Sequence, residues 1–317
     1  MHALATMFEL YLARSDLRPA SVRFKRRALK YFVEWFGDIP VNKVTPAIAE
    51  DYRMMLAKGR SKSSANGYLG NFKPFWVWLR KHNRIDNDPF DGLRLYRITE
   101  SRHETFSPSD LGRMLRVASR LWRVRICLGL LGMRRGEVLN VTVRDINLSG
   151  SRSHILLSPK TATKHTWPWG IKDHAVRCVA LPQVMMFNTI RIELHNEIVR
   201  RMEQLSQNPY VCLEDRYYYK LIGWQREGKL TDIHTSDPTG NFQRSFRALQ
   251  KRAGVQLRRF HELRAAFITQ VIEKCDLSRA ADAAGHSNVQ TTRRYHRYNE
   301  KALIEELGQI ASECYQT

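Results

Sequence analysis

Apolar residues in the first hundred positions recur at helical spacing. From Ser21 to Phe36, Val22, Leu29, Phe32, Val33 and Phe36 fall on one side of a helix, while Arg23, Arg26, Arg27 and Lys30 lie largely elsewhere. A second helix is marked by its ends: Thr45 suits an N-cap, Pro46 the first helical position, and Gly59 the stop after Met54, Met55 and Leu56. A third runs through Leu69, Phe72, Trp76 and Leu79. Pro74 inside it predicts a kink or a displaced start, because proline lacks the amide donor. These aromatics repeat with the period that burial demands, so they read as core and not as platforms for stacked bases.

The polar stretch from Asp91 to Thr105 interrupts this pattern. The expected division is a helical bundle over residues 1–98, a linker over 99–105, and a second domain over 106–317 that includes a tail helix. Ser107, Pro108 and Asp110 mark a helix start, and an apolar helix from Ile126 to Leu131 ends at Gly132. From Val141 the texture changes to alternation: VTVRDINL, SHILLSP and VRCVALP predict short strands. Residues 183–205 and 241–317 return to helical periodicity. Between them, 206–240 holds Pro209, Gly223, Gly228, Pro238 and Gly240 and reads as an irregular excursion. The fold class expected is mainly α with a small antiparallel β-sheet, in two domains.

Composition narrows the setting. A chain of 317 residues is long enough for two compact cores. No apolar run approaches the roughly eighteen residues of a membrane span, and the opening MHALATMFELYLARSD lacks the basic head and apolar middle of a secretory signal. A cytoplasmic protein with no membrane partner is expected. Five cysteines, odd in number and far apart, predict neither a disulfide framework nor a thiolate metal site.

Charge points to a polyanion. Lys and Arg number 52 against 31 Asp and Glu, leaving +21. Residues 1–100 carry 18 basic and 10 acidic groups, a surplus of 8, so 13 of the excess charges lie beyond. Both halves are therefore suited to phosphate. Arg23, Arg26, Arg27, Lys62, Lys73 and Arg135 are the candidate contacts with a polyanion such as DNA. Charge identifies a class of partner and never a reaction.

The chemistry sits in scattered polar clusters. His261-Glu262-Leu263-Arg264 precedes the apolar-rich AAFITQVI, and on a helix His261 and Arg264, three apart, project from one face. A zinc protease motif is excluded because Ala265 stands where its second histidine is needed. Upstream lies Gly132-Met133-Arg134-Arg135-Gly136-Glu137; downstream, Gly285-His286-Ser287 is followed by Thr291-Thr292-Arg293-Arg294-Tyr295.

The order Gly-Met-Arg-x-x-Glu, His-x-x-Arg, Gly-His-Ser and then a Tyr nine residues past that His resembles the signature of the tyrosine recombinases, the phage integrase family of site-specific recombinases. With the N-terminal helices matched to the family's core-binding domain, the resemblance spans roughly residues 6–300. It implies cutting and rejoining of DNA through a 3′-phosphotyrosine and a Holliday junction. Implied partners are double-stranded DNA clamped between the two domains, three further copies of the chain in a tetramer on two synapsed sites, and an accessory DNA-bending or directionality factor. No cofactor, neither metal nor ATP, is implied, and no arm-binding domain is expected ahead of the bundle.

The residue types suit that chemistry on their own terms. The transition state of phosphodiester cleavage adds negative charge to the non-bridging oxygens, and guanidinium groups offer paired donors there at any working pH. Arg134 and Arg264 are the candidates. Tyr295 attacks phosphorus, and the covalent link conserves bond energy, so rejoining needs no nucleotide. A phenol, with an ordinary pKa near ~10, needs help. His261 is the candidate base, His286 a phosphate donor, and Glu137 a supporting anion that pairs with a cation. Tyr298 competes as nucleophile at the wrong distance from His286.

The proton for the leaving 5′ oxygen comes, by resemblance, from a hairpin lysine. Here TATKHTWPWGIKDHA between the second and third strands is longer than the family's common short hairpin. Lys172, five residues before Arg177, is preferred; Lys160 fits by position after the first of those strands, and Lys164 stays open. The tail KALIEELGQIASECY predicts an amphipathic helix that docks on its own domain or on a neighbouring protomer. Two other readings stand beside recombination: topoisomerase IB-like relaxation of one strand, and a catalytically silent DNA-binding relative.

Overall fold

The computed structural model describes residues 3–98, 105–148, 153–171, 176–181, 192, 195–197, 199–200, 207–285 and 289–293. The chain forms two compact units, residues 1–101 and 102–317. Residues 99–104 of the expected linker lie outside the described residues.

The first unit is a helical bundle: α1 (Leu4–Ala13), α2 (Pro19–Phe36), α3 (Pro46–Ala57) and α4 (Lys62–Lys81). The start of α3 follows its local chemistry, since the Thr45 hydroxyl accepts from the Ile48 amide at 3.3 Å with Pro46 in the first turn. Pro74 does not displace the start of α4, which is capped by Ser61 and runs through the proline to Lys81. Losing one backbone bond to proline costs about 3 kcal/mol. Full burial of Phe72, Phe75, Trp76 and Leu79 around it contributes about 1.5–3 kcal/mol each and outweighs that loss. The apolar face of α4 is therefore core, as its period predicts. Phe72 meets Trp76 edge-on at 85°, and Trp76 stacks on Phe90 with centroids 5.3 Å apart.

The second unit opens with α5 (Pro108–Val117), α6 (Arg120–Leu130) and α7 (Arg135–Asn140). The capping box at the head of α5 pairs Ser107 with Asp110 as read from the sequence. A three-stranded antiparallel sheet follows, with β1 (Ile146–Asn147), β2 (His154–Leu157) and β3 (Arg177–Ala180) in that spatial order. Ile155 faces Ile146 on one side and Val179 on the other. Buried Ile155, Leu157 and Val179 alternate with exposed Leu156 and Cys178, the period-two pattern of a half-covered sheet. Strand β1 is shorter than VTVRDINL predicts, because Val143–Asp145 forms a single 3-10 turn closed by a Thr142–Asp145 capping box.

Among the described residues the helices that follow the sheet include α8 (Asp215–Arg226), α9 (Asp232–Ser236), α10 (Phe242–Arg252), α11 (His261–Lys274), α12 (Leu277–Ala284) and α13 (Val289–Arg293). Two of these helices correct the reading of residues 206–240 as irregular. Tyr218, Leu221 and Ile222 carry helical spacing and bury against Trp167 and Tyr210 in a small core of their own. The glycines and prolines of that stretch punctuate the helices without preventing them. Among the described residues no helix is long and apolar enough to cross a membrane.

Candidate active site

Arg134 caps the N-terminus of α7, and its position is set by Gly132. Gly132 has φ of +81°, a left-handed turn that reverses the chain after α6, and a Cβ there would lie 2.5 Å from the Phe267 ring. Glu137 then folds back from the first turn of α7 to accept from the Arg134 amide at 2.7 Å and from Arg134 Nη1 at 3.0 Å. The expected pairing of Glu137 with a cation is thus drawn in the structure.

A second cation meets the same carboxylate. Arg177, at the start of β3, donates Nη2 to Glu137 Oε2 at 2.5 Å, with side-chain exposures of only 7% and 2%. Burial pushes the Glu137 carboxyl up, but the charges of Arg177 and Arg134 and the Arg134 amide outweigh it and hold the group below its ordinary range. Glu137 is therefore an anion at neutral pH.

The last turn of α12 supplies the other half of the cluster. The final carbonyls of a helix lack intrahelical partners and carry its negative dipole end. Here three consecutive ones accept from three different arginines: Ala283 from Arg177 Nη1 at 2.9 Å, Ala284 from Arg264 Nη2, and Gly285 from Arg134 Nη2 at 3.1 Å. The Gly132 carbonyl accepts from both Arg264 Nη1 and Arg177 Nη2. Three guanidinium groups and one carboxylate thus share acceptors, leaving two net positive charges among the four side chains. The shared acceptors fix the donors in place and keep the cluster positively charged.

The two signature arginines differ in access. The Arg134 side chain is 18% exposed, whereas Arg264 is almost wholly inaccessible. His261 heads α11 and is exposed, one turn before Arg264. The shared face expected for His261 and Arg264 therefore runs from solvent into the interior. His286, Tyr295, Tyr298, Lys172 and the tail after 293 lie outside the described residues. Gly285, which leads directly into His286, adopts the left-handed cap of α12 with φ of +61°.

The hairpin lysines are placed unequally. Lys160 bonds Asp145 Oδ2 at 2.6 Å, each side chain 9% exposed, and its backbone pairs antiparallel with Trp169. Lys164 is exposed at the hairpin tip. The hairpin is bolted to the Arg134 helix, because buried Trp167 donates Nε1 to Asn140 Oδ1 at 2.8 Å and stacks on Tyr210 with centroids 4.0 Å apart. From α8, Gln225 Nε2 donates to the Thr163 and Thr166 carbonyls at 2.9 and 3.2 Å. Sequence reading missed Arg177, Asp145 and this support. The only signal for the support was aromatic density in TWPW and RYYYKLIGW.

The candidate DNA contacts divide. Arg27 and Lys62 are exposed and Arg23 is half-buried. Arg26 instead forms a bidentate ion pair with Glu9 at 3.0 and 2.7 Å. Lys73 donates to the Leu93 carbonyl at 3.1 Å, and Arg135 lies 3.6 Å from Asp237.

Residues 122–302 match the model of the phage integrase family. The chain is 21% identical over 295 residues to a tyrosine recombinase of Pseudothermotoga lettingae, an alignment covering 87% of this chain and 86% of that one. In fold it is similar to the Tn1549 transposon integrase solved with transposon right-end DNA, with a TM-score of 0.67, 14% identity, and 98% and 100% of the two chains covered. It is likewise similar to a lambda integrase tetramer bound to a Holliday junction, with a TM-score of 0.67, 12% identity, and coverage of 93% and 78%.

Proposed function

The chain belongs to the phage integrase family of site-specific tyrosine recombinases, and we propose that it cuts and rejoins duplex DNA through a 3′-phosphotyrosine on Tyr295 and a four-way junction, with neither metal nor nucleotide. One observation carries the reading: Arg134 and Arg264, far apart in the chain, meet at the Gly132 turn and the end of α12, with Glu137 orienting the more accessible one. In this reading the Tyr295 oxygen attacks phosphorus as the bond to the 5′ oxygen breaks. His261 takes the phenol proton, Arg134, Arg264 and His286 donate to the non-bridging oxygens, and a hairpin lysine, Lys172 or Lys160, protonates the leaving oxygen. The fixed guanidinium charge does the work that a metal ion does in other phosphoryl transfers, and the covalent phosphotyrosine conserves the bond energy that a nucleotide would otherwise supply.

Both units contact DNA in this reading, with Arg27 and Lys62 as exposed basic groups of the first, and four copies act on two synapsed sites. The lambda integrase tetramer on a Holliday junction, similar in fold, supports that assembly. A DNA-bending or directionality factor, and action in the cytoplasm of a bacterial or phage-infected cell, complete the proposal.

Covalent trapping on nicked DNA carrying the target site tests it. The wild type is expected to form an SDS-resistant adduct and Tyr295→Phe none. No adduct on a bound site, or an adduct with Tyr295→Phe, overturns the mechanism. Accumulation of a four-way junction excludes single-strand relaxation, and adduct formation excludes a silent binding protein.

A further inference from the structure

We propose that Arg177 is a positioning residue for this reaction, locking the Arg134 turn, Glu137 and the last turn of α12 into one arrangement from the strand that ends the lysine hairpin. The inference rests on the recombinase reading and adds a residue that the four signature motifs do not contain.

Arg177 joins three segments that the backbone leaves separate. Its Nη1 reaches the Ala283 carbonyl at 2.9 Å, 106 residues away in sequence, and its Nη2 the Gly132 carbonyl at 3.2 Å, 45 residues away. The same Nη2 meets Glu137 at 2.5 Å. The first contact fixes the turn before His286, the second the turn before Arg134, and the third the carboxylate that Arg134 shares. A planar fork with fixed donor directions holds these acceptors in one geometry.

Charge neutralisation alone does not account for it. Glu137 already has Arg134 as an ion-pair partner at 3.0 Å, so a second cation is not needed to balance it. The neighbouring chain is also shaped around the side chain. A Cβ at Gly285 would stand 2.7 Å from Arg177 Cδ, so the residue leading into His286 must lack one for the arginine stem to pass. The Arg177 side chain is 7% exposed against 18% for Arg134, and its role rests on the protein acceptors it holds together and not on contact with phosphate. Through β3, which pairs with the strand leading to Lys160, it also connects that part of the chain to the arginine cluster.

The test compares full-length wild type, Arg177→Met and Arg177→Lys on nicked target DNA, reading DNA affinity, the single-turnover rate constant of adduct formation, its amplitude and the melting temperature. A positioning role predicts that Arg177→Met binds DNA with little change and forms adduct about a hundredfold more slowly, the scale of a displacement near one ångström at a reacting centre. Arg177→Lys is expected to recover part of that rate, since it keeps the charge and loses the fork. A purely structural role lowers amplitude in step with melting and leaves the rate constant alone, and that result overturns the proposal. If Arg177→Met does not fold, Arg177→Lys decides, because a wild-type rate constant there rejects the need for the fork. If the wild type itself forms no adduct, the recombinase reading fails with it; wild-type cleavage with unchanged Arg177 variants removes only Arg177.

Discussion

Arg177 Nη2 lies 2.5 Å from Glu137 Oε2 while Arg134 Nη1 lies 3.0 Å from Glu137 Oε1, so one buried carboxylate spaces two guanidinium groups. Without it, like charges sharing the Gly132 turn and the end of α12 would repel across a poorly solvated gap.

Removing that carboxylate has a stability cost and a pH signature. Glu137→Ala leaves Arg177 buried without its anion and is expected to lose about 3–5 kcal/mol in chemical denaturation. The folded-state pKa of Glu137 is depressed, so its stabilisation is fully present above the unfolded carboxylate value of about 4.3 and is lost as pH falls through the lower folded value. Melting temperatures of wild type and Glu137→Gln should differ by a constant amount from about pH 7 to about pH 5. That lead should shrink below the ordinary carboxylate range. A lead that grows toward acid contradicts the assignment.

Gly132→Ala meets two obstacles at once. A non-glycine residue at φ of +81° costs about 1–2 kcal/mol, and the new methyl would sit 2.5 Å from the Phe267 ring. The turn that aims Arg134 has to shift in response. Adduct formation is expected to fall about a hundredfold, more than melting alone explains, as read by single-turnover cleavage on folded protein.

Trp167 tests the hairpin's anchorage. Trp167→Ala removes a fully buried indole and its bond to Asn140, with an expected loss of about 3–5 kcal/mol. Trp167→Phe keeps the stack on Tyr210 but strands the Asn140 carbonyl oxygen, at about 1–3 kcal/mol. Denaturant titrations should rank wild type above Phe above Ala. Equal loss for both variants assigns the effect to the hydrogen bond and not to packing.

The hairpin lysine that supplies the leaving-group proton is identified by chemistry. Alanine at that lysine should slow cleavage about 10²–10⁴-fold on ordinary DNA. It should be near wild type on DNA with sulfur in place of the bridging 5′ oxygen, since a thiolate leaves without a proton. Substituting Lys160 also frees Asp145, whose oxygen caps the Thr142 turn, so Lys160→Ala is expected to lower the melting temperature whichever lysine is the acid. Cleavage rates of Lys160→Ala, Lys164→Ala and Lys172→Ala on the two substrates separate the assignments.

Local chemistry in the chain was enough for the bundle's α3 and α4, the capping box at Ser107 and strands β2 and β3, because helical period, caps and alternation are read within a few residues. Motif order sufficed for the family, since four polar clusters in sequence record the chemistry without recording the path between them. Only the tertiary structure decided what each cation touches. Arg26 and Lys73, plausible for phosphate by type and position, turn to Glu9 and the Leu93 carbonyl, while Arg177, which in the sequence served only to place Lys172, pairs with Glu137 beside Arg134. A guanidinium's partners are carbonyls and carboxylates delivered by distant segments, and no local period encodes which ones arrive. The helices of residues 215–236 were hidden for a related reason: their support comes from Trp167 across the hairpin, so propensity and punctuation along the chain understate a helix that packing completes.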